Sequence, residues 1–325
     1  MTIFWEEILK VLKIEINAID VGCSNSRPFE WDKIGSALKY VGVDPLTREI
    51  DRLKNLGRPN SRYIAAFICA EGSSGRSDSG ANRFYNRSSA AKEVKESFDF
   101  IREQFNDGRE VLYTNERLSP GDILNLSGIK ELDLLKIDVD GDDFPIFNEF
   151  LKIESGATLL AVDIESQFHG DPGPFGNTFA NISIRASEAD LHLFKLESFT
   201  YSRSALPLPY VYDFPAQTVG GQTLWGDAVF MRDFYQRTTD FKSIIKMIVL
   251  YDIYGLHDCA YELLIENSKL FGDEALFNRI KSYLEQQVQD VWQPMSHSNK
   301  QTKYGFLLRA TGRFNFWKLF QIKRL

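Results

Sequence analysis

Apolar residues in the first 70 positions come in short runs separated by amphipathic stretches. Residues 16–21, 40–44 and 63–68 are three such runs. Runs of this length bounded by turn signals read as buried strands, and a helical period between them reads as crossover helices. Residues 3–13, 28–38 and Thr47 to Leu56 supply the helices. Pro28 falls near a first turn, where its missing N–H is harmless, and Gly57 is a helix stop. The alternation resumes with a small helix at 119–126, a strand at 132–138, a helix at 142–152, a strand at 158–164 and a helix at 178–190. Strands 191–199 and 225–231 have only a Pro/Tyr-rich loop between them, which predicts an antiparallel hairpin at the sheet edge. Past Asp233 the period turns helical over 239–254, 258–270 and 273–291, followed by a hinge-like Gln293-Pro294-Met295-Ser296. The prediction is an α/β fold with a mostly parallel sheet, an antiparallel final strand and a C-terminal helical extension. Its parts are 1–233, 234–294 and 295–325.

Residues 70–89 break this pattern. They are rich in glycine and serine and read as a surface loop, or as a lid over a site at the sheet edge. A polar helix near 90–106 and a short strand at 110–114 follow.

Composition excludes several classes. A net charge of −7 argues against a nucleic-acid partner. The three cysteines, Cys23, Cys69 and Cys259, are far apart and lack metal-ligand spacing, so neither a disulfide framework nor a zinc site is predicted. A reducing, cytoplasmic setting follows. The N-terminus lacks the basic and small-residue features of a signal peptide, and no apolar run reaches the length of a spanning helix.

Three of the strand-like runs end on a carboxylate: Asp20, Asp44 and Asp138. In an open parallel sheet ligands bind at the carboxyl ends of the strands, so these acids should meet in one crevice. A dinucleotide needs three glycines after strand one; Gly22 is present, but Ser24 and Arg27 occupy the other two positions. S-adenosyl-L-methionine carries no phosphate. It offers an ammonium, a cationic sulfonium and a ribose diol. Asp20 suits the ammonium, directly or through water. Gly22 permits a tight turn, and Asp44 suits both ribose hydroxyls. The competing reading of such acids is as turn residues or helix caps.

The blocks Asp20-Val21-Gly22, Gly42-Val43-Asp44-Pro45 and Leu132 to Gly141 resemble FkbM-type S-adenosylmethionine-dependent methyltransferases. Asp140 and Asp143 stand where that family has glutamates. Ala157 to Glu165 and Asp227 to Phe230 look like its fifth and seventh strands. The resemblance spans about residues 16–232. It implies a class I methyltransferase (Rossmann-like) fold and methyl transfer to an acceptor oxygen of a glycan or other small molecule. It also implies cofactor contacts at Asp20, Gly22, Cys23, Ser24, Asp44, Pro45, Ala66, Phe67 and Asp138.

Such a reaction needs an aligned hydroxyl and a proton acceptor. The candidates are Asp138, Glu165 and His169, the last in the loop after strand five. Asp138, Asp140, Asp142 and Glu149 fall at calcium-loop positions, but Asp143 replaces the required glycine and Pro145 interrupts. No metal site is expected; a Mg²⁺ held by Asp138 with Asp163 or Glu165 is the weaker alternative. Asp142 and Asp143 read as charges favouring a helix N-terminus.

The last 26 residues, Lys300 to Leu325, carry seven basic residues and no acid, interleaved with aromatics. The net charge of −7 therefore hides a body twice as acidic. This tail suits peripheral contact with an anionic membrane at the inner face, against the alternative of a helix packed on the body. Two function classes stay open: a sugar or natural-product O-methyltransferase, and a non-enzymatic module that binds partners through the same fold.

Overall fold

Helix α1 (Phe4–Leu12) buries Trp5, Ile8 and Leu9 along one stripe and ends on Lys13 in the left-handed region. It leads into β1 (Ile16–Val21), whose residues are nearly all buried. In this computed structural model the described residues are 3–24, 27–73, 113–139, 141–153, 158–168, 173–174, 176–201, 221–234 and 240–298. The chain divides into two units, residues 1–235 and 236–325.

In the first unit, β1 is followed by a 3₁₀ helix (Phe29–Ala37), β2 (Leu38–Asp44), α2 (Thr47–Asn55) and β3 (Ser61–Ala65). The predicted third strand does not run unbroken to residue 68. It ends at Ala65, and after Ala66 β4 (Phe67–Ile68) leaves to pair with β5 (Arg117–Leu118) in a separate two-stranded sheet. Next come α3 (Pro120–Ser127), β6 (Leu134–Ile137), α4 (Asp143–Lys152), β7 (Ala161–Gln167), α5 (Phe179–Glu188), β8 (His192–Tyr201) and β9 (Gln222–Met231). Ser119 caps α3 by accepting from the Asp122 N–H at 3.1 Å, and Asp122 Oδ2 accepts from the Ser119 N–H at 2.9 Å. Such a reciprocal cap contributes about 1 kcal/mol.

The main sheet has seven strands in the order β3-β2-β1-β6-β7-β9-β8. All neighbours are parallel except β9, which runs antiparallel to both β7 and β8. The predicted edge hairpin is therefore present, with its second strand inserted beside β7. Successive residues of a strand face opposite sides. On one side Ile19, Val21, Val43, Leu135, Ile137, Val162, Ile164, Ala228 and Phe230 form a core with α3, α4 and α5, including Ile123, Phe147, Phe150 and Ile182. On the other side Trp31 of the 3₁₀ helix packs edge-on against Tyr40 of β2, ring centroids 6.2 Å apart.

The fifth predicted strand is shifted. Leu160 and Ala161 both donate their N–H groups to the Asp133 carbonyl, so the chain is still turning at 158–160 and β7 extends to Gln167.

The second unit holds α6 (Phe241–Ile253), α7 (His257–Glu266), a 3₁₀ turn (Ser268–Leu270) and α8 (Glu274–Ser298). Asp240 caps α6 through the Ser243 N–H at 3.0 Å. The buried Asp252 carboxylate is held by His257 Nδ1 at 2.7 Å and by the Tyr283 hydroxyl at 3.1 Å, which ties all three helices together. The hinge expected at Gln293–Ser296 is absent: α8 runs on through Pro294. Among the described residues no helix is long and apolar enough to cross a membrane. Of the loop predicted at 70–89, residues 74–89 lie outside the described residues, as do the predicted helix at 90–106 and the basic tail.

Candidate functional site

Strand register decides which side chains meet. Val21 is level with Val43 and with Ile137, and Ile137 is level with Ile164. One residue further on, Gly22, Asp44, Asp138 and Glu165 therefore lie along one edge of the sheet. The Gly22 N–H donates to the Val43 carbonyl at 2.9 Å, and the Asp138 N–H donates to the Val21 carbonyl at 2.9 Å. This is the point where the strand order reverses, β1 leading outward to β2 on one side while β6 lies on the other. Open α/β sheets bind their ligands in the crevice at such a point.

Gly22 is needed there for two reasons. Its φ of 90° is in the left-handed region, and a Cβ would run into the carbonyl of Asp138. The close approach is thus to the β6 backbone rather than to a ligand alone.

Asp20 is fully buried. The Tyr40 hydroxyl donates to its Oδ2 at 2.7 Å, while Oδ1 has no hydrogen-bond partner among the described residues. Burial pushes its pKa up to about 6 against the pull of the Lys136 charge and the Tyr40 hydrogen bond. Asp44 is also buried. Its Oδ1 accepts the Leu46 N–H at 2.8 Å, and its carboxylate also receives a backbone hydrogen bond from Ser24. Burial takes it to about 6, with these backbone bonds opposing. Ser24 is thus placed on Asp44.

Cys23 follows Gly22 in the turn. Its side chain is buried, and its sulfur lies where a Cβ on Gly42 would go. Burial raises its thiol pKa well above the usual range. Its N–H donates to the Val43 carbonyl at 3.3 Å. Ala66 is buried beside Asp44, its N–H donating to the Asp44 carbonyl at 3.2 Å. Pro45 accepts the Thr114 N–H at 2.9 Å. The Phe67 ring is engaged by Tyr113, centroids 6.1 Å apart, and by Arg117 at 5.6 Å.

Asp138 is half exposed, and its Oδ2 accepts from Lys136 Nζ at 2.9 Å. Burial alone would lower the Lys136 pKa, but the charges of Asp20 and Asp138 outweigh it and hold the ammonium above its ordinary value. Glu165 lies inside β7 rather than beyond its end. It stands opposite Asp227 of β9, and Asp227 stands opposite Glu197 of β8. Directly opposed side chains share a face, so three carboxylates cross the sheet in one row. Burial first, then the charges of Asp163 and Asp138, push Asp227 up to about 7. His169 lies outside the described residues. Among the described residues, no group of three or more His, Cys, Asp or Glu side chains is arranged to hold a metal ion.

Asp143, expected as a charge favouring a helix N-terminus, stands at the start of α4 and is fully buried. Its Oδ1 accepts from the Val139 N–H at 2.9 Å; its Oδ2 accepts from the Gly141 N–H at 3.0 Å and from Asn177 Nδ2 at 2.7 Å. Asn177 Oδ1 in turn accepts the Phe144 N–H at 3.2 Å. This pair binds the loop after β6 to the loop after β7. Sequence reading also missed Tyr40, Lys136 and Asp227. Alternating polar residues in otherwise apolar strands, Lys136 and Asp227 among them, were the available signal.

Three buried carboxyls, Asp20, Asp44 and Asp143, and the half-buried Asp227 have raised pKa values and set a stability profile. A carboxyl with a higher pKa folded than unfolded holds its proton better in the folded chain. Its contribution is complete below the unfolded value and is lost as pH rises through the folded one. For Asp20 and Asp44 that window runs from 3.8 to about 6, and for Asp143 and Asp227 from 3.8 to about 7. The melting temperature of the ligand-free chain should therefore fall between pH 4 and 7, and Asp20→Asn should flatten the lower part of that fall. A Tm that climbs steadily through this range in both proteins would contradict the assignment.

The sheet order, the antiparallel β9 and the acids at the ends of β1 and β2 together define the class I methyltransferase fold. No family model matches the chain, and no curated protein matches it. Solved structures similar to it include a TehB-like S-adenosylmethionine-dependent methyltransferase from Corynebacterium glutamicum, 13% identical with a TM-score of 0.28, the match covering 70% of this chain and 87% of that one. An S-adenosylmethionine-dependent methyltransferase from Aquifex aeolicus is 10% identical with a TM-score of 0.27, covering 70% and 89%. A 16S rRNA adenine N1-methyltransferase from Catenulisporales acidiphilia is 8% identical with a TM-score of 0.27, covering 71% and 93%.

Proposed function

We propose that this chain is an S-adenosylmethionine-dependent O-methyltransferase of FkbM type that methylates a sugar hydroxyl of a glycan. The observation that carries the cofactor reading is the pair of buried carboxylates, Asp20 and Asp44, flanking the Gly22 turn at the point where strand order reverses. Ser24 and Arg27 replace the glycines that would admit a pyrophosphate. The residues fit a cationic nucleoside. Asp20 Oδ1 is an acceptor without a partner, suited to an ammonium directly or through water. Asp44 accepts ribose hydroxyls beside the backbone at Ser24, Pro45 and Ala66. When bound, the sulfonium supplies an electrophilic methyl group.

The rest of the work falls to the acids just past β6 and within β7 and β9. Asp138 and Glu165 orient the acceptor hydroxyl, and the Glu165–Asp227 pair takes its proton. A carboxyl raised to about 7 is matched to proton acceptance near neutrality. The acidic body opposes a nucleic-acid acceptor, and the row of carboxylates offers hydrogen-bond acceptors to sugar hydroxyls.

Asp44→Ala should weaken S-adenosylhomocysteine binding by about 1.5–3 kcal/mol, the range for hydrogen bonds to a charged group. Calorimetry on both proteins reads this directly, with circular dichroism to show that the variant is folded. Equal affinities would end the ribose assignment.

A further inference from the structure

One ammonium stands among the acids of the site. Lys136 of β6 is level with Asp20 of β1 on one side and with Asp163 of β7 on the other. Level residues of neighbouring strands point to the same face of a sheet. Asp138, two residues on, accepts from Lys136 Nζ at 2.9 Å. The Lys136 side chain is only 20% exposed, so its charge acts on these three carboxylates with little screening by salt.

The two flanks of this ammonium have different work. Asp20 is the acid assigned to the cofactor ammonium. Asp163 stands two residues before Glu165, which opposes Asp227, which in turn opposes Glu197. Asp227 feels repulsion from Asp163, Asp138 and Glu197 and attraction from Lys136. Asp20 feels attraction from Lys136 and repulsion from Asp138 and Asp44, and it accepts from the Tyr40 hydroxyl. Lys195 of β8, level with Val229, shares this face but is exposed, where water and salt screen it.

We infer that Lys136 is a positioning residue that couples the two halves of the reaction: it holds Asp20 charged for the cofactor ammonium and keeps the Glu165–Asp227 pair free to take the acceptor's proton. This rests on the function proposed above. A nearby positive charge favours a carboxylate over its acid. Burial already raises Asp20 to about 6 and Asp227 to about 7. Without the ammonium both would keep their protons to higher pH, and near neutrality the cofactor would lose its anion and the acceptor its base. A lysine that served only to hold Asp138 in place would affect turnover alike at every pH.

The test measures kcat with a panel of mono- and oligosaccharides, and S-adenosylhomocysteine affinity, from about pH 5.5 to 9. The proteins are wild type, Lys136→Met, Lys136→Gln and Lys136→Arg. Wild-type kcat should rise along an acid limb as the base loses its proton. In the Met and Gln variants that limb should move up by about one pH unit or more, a roughly tenfold loss of kcat on the limb that shrinks as pH rises. S-adenosylhomocysteine should bind several-fold more weakly at the acid end and recover towards the alkaline end. Lys136→Arg, which keeps the charge, should keep the wild-type profiles. Lys136→Gln, whose amide can still donate to Asp138, decides the matter if circular dichroism shows that Lys136→Met does not fold. An acid limb or a binding profile that stays put in the neutral variants, or a loss equal at every pH, would overturn the coupling and leave the cofactor reading intact. Wild type that binds but turns over no sugar would remove the acceptor reading and the coupling with it; wild type that does neither would remove the cofactor reading too.

Discussion

Gly22→Ala is expected to lower the stability of the chain by about 3 kcal/mol or more and to abolish measurable S-adenosylhomocysteine binding. Two costs combine. An L-residue forced into the left-handed region loses about 1–2 kcal/mol, and overpacking a filled site costs about 1–3 kcal/mol. The neighbour cannot yield, because it is the backbone carbonyl of Asp138, whose own N–H is bonded to Val21. Moving it would open the β1–β6 edge, where Asp138 sits. Gly57→Ala is the control. Gly57 also has positive φ, at 61°, but nothing lies within 4 Å of its would-be Cβ. It should lose only about 1 kcal/mol, the strain alone. Denaturant midpoints and calorimetry separate the two. If both variants behave alike and both bind, the turn is not the pivot described here.

The second large effect concerns the chemical step. Glu165→Gln and Asp227→Asn should each lower kcat by about 10²–10⁴ while leaving S-adenosylhomocysteine affinity nearly unchanged. Release of S-adenosylhomocysteine reads turnover with monosaccharide and oligosaccharide acceptors. Because the two side chains oppose each other across β7 and β9, the double variant should lose little more than the worse single one. Asp138→Asn should fall between, since its carboxylate both pairs with Lys136 and borders Gly22. Full turnover in all three, with loss in His169→Ala, would move the base to the loop after β7.

The sheet was legible because its signal is local. Each of β1, β2, β6 and β7 is a short apolar run with a period change after it, and the Pro/Tyr-rich sequence between 199 and 225 predicted the hairpin. What escaped depends on partners distant in sequence. Nothing around Ala66 says that Phe67 will leave the sheet, because its new partner, Arg117, lies some fifty residues away. Cys23 looked like part of a ligand-facing turn. Only the register of β1 against β2 shows that the space over Gly42 takes its sulfur. Asp143 reads locally as a helix-start charge, and its burial follows from Asn177 arriving across another loop. Asp20 was found as an acid at a strand end. Its Tyr40 partner stands level with Ala18, one pleat back, and reaches forward along the same face.

The central claim is that the Gly22 crevice between Asp20 and Asp44 takes a cationic adenosyl amino acid rather than a dinucleotide. Calorimetric titration of the intact chain with S-adenosylmethionine, S-adenosylhomocysteine and NAD tests it most directly. Saturable binding of the first two at a single site, with no heat from NAD, is the predicted result. Binding of NAD with no response to either adenosyl compound would contradict it.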